Sequence, residues 1–271
     1  MSIVYLGRSE DREAFVKVVF QRLAVQSKVT GKQILIKPNI VSHESYPTTT
    51  HPITLETCLR LLLPVARKIV VADGPAWDAG DSKSIIEKHP LKRSCDELGV
   101  AIVDLLVEGA REVKTGSLEL EVSRMAFEYD FILSLPVLKS HGICGLTGAL
   151  KNQLGFLSVA EKRRLHWGRD VHKTIAELNQ VVKPDLYVVD AVQTLITTNE
   201  VRHGGQPRKL GCMLAGTDPV SLDVVGLELL KEVEPKLRGK HFSDILHLKY
   251  AVNLGIGEPR YEIVELQAIA G

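Results

Sequence analysis

Short apolar runs alternate with helix-length amphipathic segments along this chain, and the alternation predicts parallel strands joined by crossover helices. The runs Ser2–Leu6, Gln33–Lys37, Lys68–Ala72, Val100–Leu106, Phe131–Leu135, Leu186–Asp190 and Cys212–Ala215 read as strands. Helical patterning marks Asp11–Gln26, Thr54–Ala66, Asp81–Glu87, Asp170–Gln180, Pro219–Lys231 and Ser243–Leu254. The expected architecture is therefore α/β: a mostly parallel, doubly wound sheet with crossover helices. Residues Glu112–Arg124 interrupt the alternation, because their side chains alternate around a glycine as in a small inserted hairpin. A division into two lobes would fall near Ser140. With no repeat and no low-complexity linker, the alternative is one domain over residues 1–271.

Composition narrows the partners. Hydrophobic residues make up 45% and charged residues 25% of the chain, as in an ordinary globular protein. Thirty-four Lys and Arg stand against 33 Asp and Glu, so no bulk positive field favours nucleic acid or an acidic bilayer. No targeting pattern and no membrane-length apolar run is visible, which sets a cytoplasmic location as the expectation. The cysteines, Cys58, Cys95, Cys144 and Cys212, are scattered without a CxxC pair. Their spacing argues against a disulfide framework and against an intrinsic iron–sulfur cluster.

Candidate chemistry follows from the strand ends, because ligands of open α/β sheets gather beyond the carboxyl edge. Lys37-Pro38-Asn39, Asp73-Gly74-Pro75, Lys139-Ser140-His141 and Asp190 each terminate or follow an apolar run. These sequences also suit plain turns, since Pro fixes φ and Asn and Asp bond their own backbone. In Leu138–Gly155, Gly142, Gly145 and Gly148 recur every third position between Lys139 and Lys151. That spacing predicts an anion-binding loop with exposed backbone N–H groups and lysine countercharge. It matches neither a P-loop nor a dinucleotide fingerprint. His141, His166 and His172 crowd the same region and supply acid–base or metal-ligating chemistry. Their residue types resemble those of nickel-dependent lactate racemases, an analogy of composition alone. Asp218 and Pro219 read as a helix cap and first-turn proline. Asp223, one turn further, calls for a buried partner. The basic loop Arg202–Lys209 reads as mobile and able to close over an anion.

Taken in order, the motifs IKPNIV, VVADGP, LPVLKSHGICGLTGALKNQLG, HWGRDVHKTIAELN, PDLYVVDAV, GGQP, AGTDPVSLDVVG and HLKYAVNLGIG resemble the domain of unknown function family 362 over nearly the whole chain. The resemblance implies an α/β domain, often fused to a ferredoxin-like module. This chain has no cysteine-rich extension, so electron delivery would need a separate ferredoxin-like partner. By position the resemblance carries over Lys37, Asn39, Asp73, Lys139, His141, Lys151, Asn152, His172, Asp190, Asp218 and Asp223.

Two functions fit these readings. In the first, an enzyme acts on a small carboxylate or phosphate. His141, His172, Asp73 and Lys37 are its catalytic candidates. Asn39, Lys139, Gly142, Gly145, Gly148, Lys151 and Asn152 bind substrate, and Asp190 and Asp223 are candidate ligands for a divalent metal. In the second, the same pocket belongs to a carrier, sensor or assembly factor without turnover. One cleft is expected to gather Lys37, Asp73, Lys139, His141, Lys151 and Asp190.

Overall fold

The structure, a computed structural model, describes residues 1–266. Its twelve strands are β1 (Ser2–Gly7), β2 (Gln33–Pro38), β3 (Lys68–Asp73), β4 (Ala101–Asp104), β5 (Ala110–Lys114), β6 (Glu119–Ser123), β7 (Phe131–Leu135), β8 (Lys139–His141), β9 (Gly145–Thr147), β10 (Leu186–Ile196), β11 (Gln206–Gly216) and β12 (Tyr261–Glu265). The helices are α1 (Arg12–Arg22), α2 (Val25–Val29), α3 (Pro52–Leu62), α4 (Ser82–Lys88), α5 (Pro90–Glu97), α6 (Ala149–Asn152), α7 (Val159–Arg164), α8 (Val171–Val181), α9 (Pro219–Val233) and α10 (Leu246–Asn253).

Eight strands form one sheet in the order β12-β1-β11-β10-β7-β2-β3-β4. β11 alone runs against both of its neighbours, β1 and β10. The remaining pairings are parallel. Parallel strands covered by helices bury both faces and so read as continuous apolar runs. Ile34 and Ile36 join the core under α1, α3 and α5, while Leu35 points to the opposite core. Val188 and Met213 face the first core, and Val189 and Leu214 face a core built with α6, α8, α9 and α10. Helices from the first hundred residues thus cover one face and later helices the other.

The inserted hairpin forms as β5–β6, a separate two-stranded sheet in which Val113 pairs with Leu120. Three departures from the sequence reading have physical causes. β10 and β11 are each eleven residues long: β10 runs on past Asp190 through the largely buried residues 191–196, and the start of β11, Gln206–Lys209, is polar and exposed and carries no apolar signal. The basic loop is accordingly half strand. The first expected helix breaks after Arg22, where Ala24 adopts φ 48°. The glycine-rich segment forms a short hairpin, β8–β9, with Lys139 opposite Thr147.

Two buried carboxylates hold these pieces together. Asp190 accepts from Arg12 Nε at 2.6 Å, from the Tyr46 hydroxyl at 2.8 Å and from Val192 N at 3.0 Å. It pins α1 and the loop after β2 to β10. Asp223 of α9 accepts from Ala149 N at 2.6 Å and Leu150 N at 3.0 Å, the otherwise orphaned first amides of α6. Burial pushes its carboxyl up to about 7 even so. Gly148 permits this approach, since a Cβ there would lie 2.1 Å from Asp223 Oδ1. Replacing Asp223 with Ala leaves two buried amides unpaired and should cost about 1–3 kcal/mol, read as a lowered midpoint in urea unfolding at constant slope.

Candidate functional site

β2 and β3 are parallel neighbours in register, Ile36 beside Val71, so both chains leave the sheet on the same edge. Lys37 and Asp73 meet there. Lys37 Nζ lies 2.6 Å from Asp73 Oδ1 and also donates to Pro38 O at 2.9 Å and Asn152 Oδ1 at 3.1 Å. Asp73 accepts from Ile40 N at 2.5 Å and Gly74 N at 2.8 Å. Each atom of this buried pair is therefore satisfied, as a charge removed from water requires.

Three more lysines surround the pair around a cavity of about 140 Å³. Lys139, entering from beyond β7, donates to Asn39 Oδ1 at 2.9 Å and Thr48 O at 2.5 Å, leaving one of its three protons free. Lys162 of α7 donates to Gly74 O at 2.9 Å and Pro75 O at 3.2 Å, and likewise keeps one. Lys151 of α6 has no hydrogen bond among the described residues. Gly155 allows the wall to close: a Cβ there would meet Asp73 Oδ1 at 2.2 Å and Lys37 Nζ at 2.9 Å.

Four lysines against one aspartate leave the lining with a formal excess of three positive charges. Burial lowers the Lys37 amine against the pull of Asp73. It brings Lys139 down to about 7, with the nearby Lys151 ammonium acting in the same direction, and Lys162 to about 8. Glu44 and Glu200 near Lys139 and Asp104 near Lys162 offset part of this charge without lining the cleft, and one of its amines changes protonation near neutrality.

Lys37, Asn39, Asp73, Lys139, Lys151 and Asn152 line this one cleft. The remaining candidates do not. His141 rides to the end of β8, where its Nδ1 accepts from Ile143 N at 3.2 Å and Cys144 N at 3.1 Å and closes the hairpin turn. With His172, Gly142 and Gly145 it lines a second hollow beside Leu237 and Ile245. His172 stacks parallel to His247, ring centres 6.2 Å apart. Burial and nearby lysines push His141 down to about 2. The two histidines thus stand apart from Lys37 and Asp73. Nor do the three glycines present amides to the cleft: Gly142 and Gly145 shape the hairpin, and Gly148 seats Asp223.

Asp190 and Asp223 are consumed by the bonds described above, and among the described residues no three His, Cys, Asp or Glu side chains group to hold a metal. Asp218 caps α9, accepting from Val220 N at 2.8 Å. Cys58 and Cys95 are buried in one core, Cys144 and Cys212 in another.

Lys162 and Trp77 also line the cleft and are absent from the sequence candidates, whereas His166, which the sequence grouped with His141 and His172, lines it without them. Lys162 sits in Glu161-Lys162-Arg163-Arg164, where nothing local separates it from two exposed arginines. Its burial comes from the distant Gly74–Pro75 turn lying over it.

Comparison with known proteins agrees with this fold. Over 86% of the chain it superposes on the lactate racemase apoprotein from Thermoanaerobacterium thermosaccharolyticum, with a TM-score of 0.51, 15% identity and 58% of that protein covered. A thylakoid-associated protein of Synechocystis sp. is 26% identical over 212 residues, which are 74% of this chain; the match spans 64% of that relative's length. The family model described as "Domain of unknown function (DUF362)" matches residues 34–228, from the start of β2 into α9. With that match covering well over half of its length, the chain belongs to the domain of unknown function family 362.

Proposed function

We propose that the cleft between Lys37 and Lys162 binds a small carboxylate or phosphate and that Lys139 moves a proton on it. The observation that carries this reading is the set of four lysines gathered around a single aspartate at the carboxyl edge of the sheet. Three of the four are buried. Burying ammonium groups beyond what one carboxylate can balance is costly in an empty protein. An anion removes that cost, and the free protons on Lys139 and Lys162 are the donors it would meet.

Lys37 has a different role. Its three donors are all engaged, so it holds Asp73 and the strand ends in place and leaves the ligand to its neighbours. Lys139, near 7, is matched to general acid–base work at neutral pH, where both protonation states are populated. Asn39 and the Thr48 carbonyl orient its amine by accepting two of its protons. Proton transfer to or from a bound carboxylate or phosphate compound is the reaction class that this geometry favours.

Calorimetric titration with inorganic phosphate and with succinate tests the binding. Lys139→Met and Lys151→Met should each weaken affinity more than tenfold, the loss of one charge-assisted hydrogen bond worth about 1.5–3 kcal/mol. Lys151→Met should leave the unfolding midpoint nearly unchanged, whereas Lys139→Met, which unpairs Asn39 Oδ1 and the Thr48 carbonyl, should also cost stability of about 1–3 kcal/mol. Unchanged affinity in both variants would overturn the proposal.

The anion binds the ammonium form of Lys139 and Lys162, whose free-state values are about 7 and 8. Affinity should therefore be full below 7 and fall as pH rises through 8. Binding near pH 7.5, between those two values, should take up protons from the buffer, seen as a binding enthalpy that depends on the buffer's ionisation enthalpy.

A further inference from the structure

At the mouth of the lysine cleft, Trp77 stands next to His166, ring centres 5.1 Å apart, and 6.4 Å from Trp167. Trp77 and His166 line the cavity itself. Trp167 is 77% exposed, a large apolar ring left uncovered beside a charged site. The indole Nε1 of Trp77 is buried and has no hydrogen-bond partner among the described residues. Buried indole donors ordinarily find an acceptor. A platform of three aromatic rings with an unspent donor has no structural task visible in its own surroundings.

The Trp77 side of the platform is also tethered. Asp78, next to Trp77, accepts from Arg202 Nη2 at 3.0 Å, and Arg202 Nη1 donates to the Asp78 carbonyl at 3.2 Å. Ala76 N donates to Val41 O at 2.9 Å on the other side. The turn carrying Trp77 is thereby clamped to the β10–β11 connection and to the segment after β2. A rigid ring loses little entropy on stacking with a ligand.

We infer that the ligand of this cleft is an aromatic acid: a planar ring carrying one or two carboxylate or phosphate groups, with the acid among the lysines and the ring against Trp77 and His166. This inference rests on the anion-binding reading above and adds the ring to it. It assigns Trp77, His166 and Trp167 as residues that decide specificity. Lys139 and Lys162 would take the charge, and the Trp77 indole N–H would donate to an acceptor on or beside the ring.

Two probes of equal charge and similar shape separate the ring from the acid: phthalate (benzene-1,2-dicarboxylate) and cis-cyclohexane-1,2-dicarboxylate. Calorimetric titration should show phthalate binding several-fold more tightly, up to about tenfold, the worth of aromatic packing beyond area burial. Trp77→Leu should bring the two affinities together, and Lys139→Met should weaken both. Trp167→Leu, at an exposed position, should narrow the preference without any effect on folding. The chain contains two tryptophans, both at this mouth, so phthalate should also perturb the intrinsic emission, whereas inorganic phosphate should do so little.

Equal affinities for the two probes, or a preference that survives both tryptophan replacements, would overturn the aromatic assignment and leave anion binding standing. Phosphate and succinate bound with neither ring probe bound would do the same. Failure of all four anions to bind would remove the anion reading and this inference with it.

Discussion

The Lys37–Asp73 ion pair lies where two adjacent parallel strands leave the sheet, and its burial constrains nearly everything around it. Taking both charges out of water costs several kcal/mol per ion unless every donor and acceptor is used. Here the backbone after β2, the turn after β3 and Asn152 of α6 supply the remaining bonds. Three separate stretches of chain are thus drawn to one point. Gly155 must come close enough that no side chain could stand there. The later lysines enter a frame that the pair has already set.

The charge excess in the cleft is local. Over the whole chain the formal net charge is +1, so there is no long-range field to draw in polyanions. A positive pocket in a nearly neutral protein acts within about 8–10 Å at physiological salt. That range suits a small ligand held at contact distance, with selectivity arising from shape and hydrogen bonding. The near-neutral Lys139 follows first from its burial and then from the neighbouring Lys151 ammonium, which makes its proton harder to hold.

The strand ends were legible because parallel strands buried on both faces leave unbroken apolar runs, and the residue after such a run falls on a known edge. Lys37, Asp73 and Lys139 were found that way. Polar strand halves such as Gln206–Lys209 left no such mark, nor did the short strand β12. The glycine spacing in Leu138–Gly155 misled, because close approach has more than one use: Gly148 admits the carboxylate of Asp223, and Gly145 lies against Ile245. Lys162 was illegible because it owes its burial to the Gly74–Pro75 turn, 88 residues away in sequence, and Trp77 because its turn is tied down by the distant Arg202 and by Val41. Asp190 followed an apolar run like the others. Arg12 and Tyr46, remote in the chain, decide that it serves the scaffold.

The position of β1 bears on how the chain can be divided. The family match opens at residue 34 and ends at residue 228, yet β1 is an interior strand, paired with β11 on one side and β12 on the other. A recombinant fragment trimmed to the matched boundaries would lose β1, α1, α10 and β12 together. It would leave residues 213–215 of β11, which pair with β1, as an unpaired edge and strip Arg12 from Asp190. The segment that identifies the family is therefore smaller than the unit that must fold, and a soluble fragment needs both flanks retained.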